Sequence, residues 1–352
     1  MSNNNFTSFW QSPLWSDILS GTQQAESIWY TFQNQKILIE RRKITGNYTG
    51  LYVLGAEESF ITSECLNDIF QTVVQKNDLF LQIEPVTYGL PIQNTKYKVI
   101  DPEYSVGKVS SDRRVQNEGS LNAHAPFRRF IEPVTAIIPL SNTTEEKVFQ
   151  NFKEKGRYNI RVAERRGVTT QWVQGDDMCP FLSPDGNKKK QTYVEIFFAL
   201  LEETTKRDKF SHNALSYYQT FLRVLEANNA GGLLVAVKNN ILHAAGIFVY
   251  YGEHAIYYYG ASSSKSEVRR DNATYLLQWC AIQEALRRGC TDYDFLGISS
   301  DEGDKLAGVT TFKMGFCPEK IILPPEKVII FRPRLLKMLQ SANNLRKILR
   351  RG

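Results

Sequence analysis

The chain is short of cysteine and histidine and has no long apolar run, and each shortage closes off a class of protein. Its five cysteines, Cys65, Cys179, Cys280, Cys290 and Cys317, form no C-x-x-C pair, and with four scattered histidines they make no zinc-ligand cluster. No disulfide framework is visible, so a reducing compartment is expected. No stretch of about 18 uncharged apolar residues exists, which predicts no transmembrane helix. The opening residues are polar and Asn-rich, without a basic then apolar leader, so no signal peptide is expected and the location reads as cytoplasmic. What is present is ordinary for a globular protein. The 352 residues are enough for two cores, and a 42% hydrophobic share rules out disorder. A net charge of +6 favours an anionic partner, RNA, nucleotide or lipid, without choosing among them.

Local signals lay out a mixed pattern. Ser12-Pro13 opens a helix by N-cap and first-turn proline. Two β-rich runs, 27–32 and 36–44, flank Gln33-Asn34-Gln35 as a hairpin, and 51–54 is a short strand. Apolar residues Leu66, Ile69, Phe70, Val73 and Val74 give 64–75 a helical period, and 78–84 is a strand ended by Pro85. Residues 86–130 read as a long loop or insertion. The apolar strand 135–140 leads into a capped helix start at Ser141 to Glu146. Beyond it come a helix carrying 156–168, a helix over 216–227, strands at 233–237, 244–250 and 255–259, a helix over 275–288 closed by Gly289, and a strand at 292–297. Helix, antiparallel strands, helix, strand thus occurs twice. The expected fold class is α/β (α+β): two tandem acetyltransferase-like (GNAT) domains with largely antiparallel sheets and no coiled-coil arm. The first domain is set at 1–140, completed by the tail 325–352, and the second at 141–324. The tail pairs Leu335, Leu336 and Leu339 with Arg332, Arg334, Lys337, Arg346, Lys347, Arg350 and Arg351. It reads either as a basic face for an anionic membrane or RNA, or as a packed helix with a solvated basic side.

Five segments, in order, resemble the Fem family of cell-wall aminoacyltransferases. Gln11-Ser12-Pro13-Leu14-Trp15 resembles its Q-s-x-x-W helix. Lys155-Gly156-Arg157 through Ile160, Arg161, Ala163, Gly167 and Val168 resembles K-x-R-x-x-I-R-x-A-x-x-x-G-V. Tyr257 to Ser262 resembles Y-x-x-G-A-S, Tyr293-Asp294-Phe295-Leu296-Gly297-Ile298 resembles Y-D-F-G-G-I, and Phe312-Lys313-Met314-Gly315-Phe316 resembles its F-K-x-x-F close.

The resemblance implies a transfer of an amino acid from aminoacyl-tRNA to a peptidoglycan precursor, either UDP-muramyl pentapeptide or lipid II. It implies no cofactor beyond the charged tRNA, a monomer, and at most a peripheral contact with an anionic membrane. An aminoacyl ester is already activated, so its aminolysis needs a positioned amine, a proton path and a stabilised oxyanion. By the resemblance, Lys313 takes the oxyanion role, Phe312 braces it, and Glu84, before Pro85, stands where a base has been proposed. Tyr258 and Tyr259 would line the acceptor cleft, and strand alternation lets only one of them face it. Trp15 and His212 join the substrate residues. Arg157, Arg161, Arg165 and Arg166 form a stripe read as a phosphate site or a solvated face.

Three positions depart from the pattern. Leu19 and Asn213 stand where short family members carry a diphosphate-gripping lysine and arginine, and Gly55-Ala56 replaces a G-P. Alternatives are a GNAT-like N-acyltransferase with another donor or acceptor, and a non-catalytic protein that kept the fold. A CoA donor normally needs an R/Q-x-x-G-x-G/A loop, and Arg269 to Asn272 has no glycine.

Overall fold

The Ser12 hydroxyl accepts the Trp15 N–H at 3.1 Å with Pro13 at the first helical position, and α1 (Pro13–Thr22) follows. The computed structural model describes residues 8–57, 61–86, 99–100, 129–182, 190–208, 211–299, 307–316, 319–339 and 341. Most of the expected 86–130 loop, Cys317 and the last basic residues of the tail lie outside the described residues.

In the first unit, β1 (Glu26–Phe32) and β2 (Gln35–Thr45) pair through Gln33 and Asn34. Both take positive φ, 47° and 66°, the handedness a two-residue hairpin requires. β2 turns at Gly46 into β3 (Tyr48–Leu54), and α2 (Ser63–Thr72), capped by Thr62, returns the chain to β4 (Asp78–Glu84), parallel to β3. All seven residues of β4 are buried, because the strand is central and covered on both faces. The strand Lys327–Ile330 adds antiparallel to its other edge, with β5 (Val99–Ile100) beyond. The order is β1-β2-β3-β4, Lys327–Ile330, β5. Residues 333–339 are helical, and Leu336 is buried in this unit's core with Leu335 and Leu339 packed against it. The leucines that would enter a membrane therefore face inward, and the packed reading of this part of the tail holds.

The second unit begins with β6 (Val134–Pro139). The domain boundary expected at 140 falls at 133, because β6 lies between two strands of the second sheet. α3 (Glu145–Asn151) is capped by Thr144, and α4 (Glu154–Arg165) carries the arginine stripe. β7 (Thr169–Val173), α5 (Tyr193–Asp208) and α6 (Leu215–Ala227) precede the hairpin strands β8 (Gly231–Lys238), β9 (Ile241–Tyr251) and β10 (His254–Ser262). After the short α7 (Ser266–Arg269), α8 (Ala273–Arg287) crosses to β11 (Asp292–Gly297), then α9 (Ala307–Lys313) and β12 (Glu319–Ile322).

The sheet order is β12-β6-β11-β10-β9-β8-β7, antiparallel except for β10 against β11. Helices α3, α4 and α8 share a core with Phe248, Tyr293, Phe295 and Phe316, while α5 and α6 pack on β8 to β10. Each unit thus ends its antiparallel strands in one parallel pair bridged by a helix, the same order twice. Among the described residues no helix is long and apolar enough to cross a membrane, and no paired helical arm interrupts either unit.

Candidate active site

Lys313 is the last residue of α9 and is buried, at 8% exposure. A buried ammonium needs acceptors, and its Nζ donates to the Gly297 carbonyl at 2.8 Å. That carbonyl stands at an irregular strand end. The β6–β11 ladder passes from Asp294/Ile137 directly to Gly297/Thr135, so Phe295 and Leu296 together face Ala136, a β-bulge. Leu296 takes φ 57°, a left-handed conformation that costs a leucine about 1–2 kcal/mol. The resembling pattern has Gly-Gly here, and this chain has Leu-Gly. Asp294 Oδ1 accepts the Leu296 N–H at 2.7 Å and also the Thr135 hydroxyl. Burial pushes the Asp294 carboxyl up from 3.8 to about 6, against the pull of Thr135, the Leu296 N–H and the Lys313 charge. The Ser299 N–H bonds Thr310 Oγ1 at 2.9 Å, tying the strand end to α9.

Phe312 stacks edge-on to Tyr275 at 4.9 Å and to Phe316 at 5.4 Å. The turn after it meets α4. The Lys153 N–H bonds the Gly315 carbonyl at 3.0 Å, and a Cβ on Gly156 would lie 2.6 Å from that oxygen. Two of the resembling motifs therefore meet in space.

Both Tyr258 and Tyr259 lie on the α6 side of the sheet. The expectation that alternation splits the pair fails, because a bulge between Tyr257 and Tyr259 breaks the period. Tyr257 instead turns to Phe248 at 5.4 Å, and its hydroxyl fills the space where a Gly260 Cβ would stand. Tyr258 and Tyr259 both pack on Phe221, at 5.0 and 5.7 Å, and the Tyr259 hydroxyl donates to that of Tyr217 at 3.0 Å. His212 is exposed beside this wall, edge-on to Phe198 at 5.1 Å, and the neighbouring Asn213 N–H donates to the Tyr218 hydroxyl at 3.2 Å. Burial pushes Tyr218 up to about 12. Sequence reasoning gave Tyr217, Asp294 and Thr135 no role. The Tyr-Tyr pair opening α6 was a signal for the first, and Asp294 sat inside a resembling segment without a role of its own, but nothing local marked Thr135.

The arginine stripe is largely engaged within its unit. The Arg157 guanidinium donates to the Gln150 carbonyl at 2.8 Å and to that of Phe152, closing the end of α3. Arg161 lies 5.4 Å over the Phe149 ring, and Arg166 donates to the Arg270 carbonyl. At the start of α8, where a CoA pyrophosphate loop would sit, Asp271 pairs with Lys238 at 2.8 Å, a carboxylate where a phosphate would need donors.

Glu84 and Trp15 belong to the first unit. Trp15 Nε1 donates to Glu40 at 2.6 Å in the interior. Glu84 accepts the Phe130 and Ile131 N–H groups, at 2.9 and 2.6 Å, and the Gln82 amide at 2.6 Å. Leu19 is a core residue, at 1% exposure, so no phosphate anchor could work from that position. An open cleft of about 410 Å³ in the second unit is lined by Trp172, Glu226, Glu284 and Arg288 among others, and none of the residues singled out above borders it. Among the described residues no His, Cys, Asp and Glu cluster could hold a metal.

Two mixed α/β units that repeat one order of strands and helices, with a buried lysine late in the second, define a tandem α/β class of fold. A model of the FemAB family matches residues 130–237 and 226–324, more than half the chain, and the chain belongs to that family. It is 26% identical over 197 residues to aminoacyltransferase FemA of Staphylococcus epidermidis, covering 54% of this chain and 44% of that protein. It is 28% identical over 203 residues to FemA of Staphylococcus aureus (strain MRSA252), covering 55% and 45%. The matched region thus spans less than half the length of these relatives. The crystal structure of FemX superposes with a TM-score of 0.69 at 14% identity, over 95% of this chain and 94% of that one, which shows a shared fold.

Proposed function

We propose that this protein is an aminoacyltransferase that moves an amino acid from aminoacyl-tRNA onto the amino group of a peptidoglycan-precursor stem peptide. The observation that carries the reading is the buried Lys313 ammonium at the matched F-K position, hydrogen-bonded to Gly297. Membership of the FemAB family and the name of its FemA relatives supply the reaction class. In the proposed step the acceptor amine attacks the ester carbonyl and a C–N bond forms. Lys313 stabilises the tetrahedral oxyanion, the C–O bond to the tRNA ribose breaks, and the amine proton ends on the departing ribose oxygen. Tyr258, Tyr259 and Tyr217 form the wall along which the acceptor peptide would lie. The acid at Asp271 argues against a CoA donor.

The test is a transfer assay with charged tRNA carrying labelled amino acids, offered UDP-muramyl pentapeptide in one arm and lipid II in the other. Label moves onto one acceptor, and Lys313→Ala lowers kcat by roughly 10² to 10³-fold, the range for losing one oxyanion donor. Folded protein that transfers label to neither acceptor overturns the reading.

A further inference from the structure

We infer that Asp294 is a positioning residue: it holds the end of β11 in a left-handed turn that aims the Gly297 carbonyl at Lys313, and so fixes where the Lys313 ammonium stands. The inference rests on the role proposed above for Lys313. Its support is a continuous run of contacts. The Asp294 carboxylate accepts the N–H two residues ahead, at Leu296, an Asx-type turn that replaces a backbone bond. The same carboxylate accepts the Thr135 hydroxyl, which anchors it to β6. Between these anchors the ladder skips a position, and Leu296 adopts φ 57°. A leucine has no intrinsic preference for that region, so the side-chain acceptor is what makes the turn worth holding.

The turn's product is the Gly297 carbonyl, bonded to Lys313 Nζ at 2.8 Å. The ladder then resumes, with the Ile298 N–H on the Val134 carbonyl at 2.9 Å. Without the turn, the carbonyl would follow the regular pleat, and the ammonium would lose this hydrogen bond. The charged groups acting on Asp294 are Lys313 and Asp292, which pull its titration in opposite directions.

Four proteins separate this role from a general structural one: wild type, Asp294→Asn, Asp294→Ala, and Asp294→Ala combined with Leu296→Gly. Asparagine keeps an oxygen for the Leu296 N–H, and glycine enters the left-handed region without a side chain to strain. The expected kcat is within about threefold of wild type for Asp294→Asn and down by about tenfold or more for Asp294→Ala, the scale of a misplaced catalytic group. The double variant recovers most of the loss, with the acceptor KM within about twofold throughout. An asparagine variant as impaired as the alanine variant would mean that charge, not the turn, matters, and overturns the inference. So would a double variant no better than Asp294→Ala at equal melting temperature.

A second readout needs no activity. The ¹³C resonance of the Gly297 carbonyl shifts in Asp294→Ala and returns in the double variant. In Lys313→Ala the Asp294 carboxyl titrates higher than in wild type. Carbonyl and carboxyl resonances that stay put in these variants refute the coupling even if the transfer reaction is confirmed. If wild type transfers nothing, the same resonances still decide it.

Discussion

Glu84 shows how one carboxylate can carry a strong electrostatic signature and a packing job together. Burial lifts it from 4.5 to about 7, while the Ile131 and Phe130 N–H groups, Arg129 and Gln82 pull it back down. Such a value would suit a general base, yet both oxygens already accept donors from 82, 130 and 131. The carboxylate thereby fastens residues 130 and 131 to the end of β4. The sign of its pH effect follows. Between about 4.5 and 7 the folded state keeps a proton that the unfolded chain has released. The stabilisation is therefore full below about 4.5 and is lost as pH rises through about 7, by about 3 kcal/mol in all. Urea midpoints of the whole protein should fall across that window, and Glu84→Gln should flatten the fall. A variant with an unchanged slope would assign the pH dependence to other groups. At this scale the sequence was readable wherever residue type alone decides. It was not readable at Tyr258 and Tyr259, where a bulge turns both to one side, nor at Asp294, whose anchor Thr135 lies on another strand.

Elements were legible where punctuation is local. Ser12-Pro13, Gln33-Asn34, Thr144 and Gly289 each mark a cap or turn that the structure contains. Missed elements lack such marks. β7 is a largely exposed edge strand without clear alternation, and α5 opens with apolar residues that bury several sides rather than one stripe. The strand Lys327–Ile330 is four residues between prolines, recognisable only once β4 offers it an edge. The contact of α4 with the turn after α9 gives a sharp expectation. Gly156→Ala places a methyl 2.6 Å from the Gly315 oxygen, backbone against backbone. It should destabilise the protein by about 1–3 kcal/mol, the range for overpacking. Gly308→Ala, in α9 with open space around it, should instead stabilise by about 0.5–1 kcal/mol. Thermal melts of the two variants that move in the same direction would contradict the close approach.

Over the whole molecule the repeated order was visible in the sequence, because hairpins and helices have different periods. The way the first sheet is completed was not a matter of pattern. Pairing of β4 with Lys327–Ile330 joins residues from opposite ends of the chain. A chain ending at 324 would leave the buried strand β4 with an open edge. Limited proteolysis should then digest residues before 133 quickly while leaving a resistant piece near 134–322. Equal resistance of both regions would show that the terminal strand is dispensable.

The same pairing has a consequence on the ribosome. β4 is synthesised roughly 240 residues before its partner, a delay of about 10–50 s at ordinary rates of synthesis. The second unit has all its strands within that interval and can finish folding first. Throughout the wait the nascent first unit presents an unpaired apolar edge. The yield of native protein should then depend on translation speed and on holding chaperones.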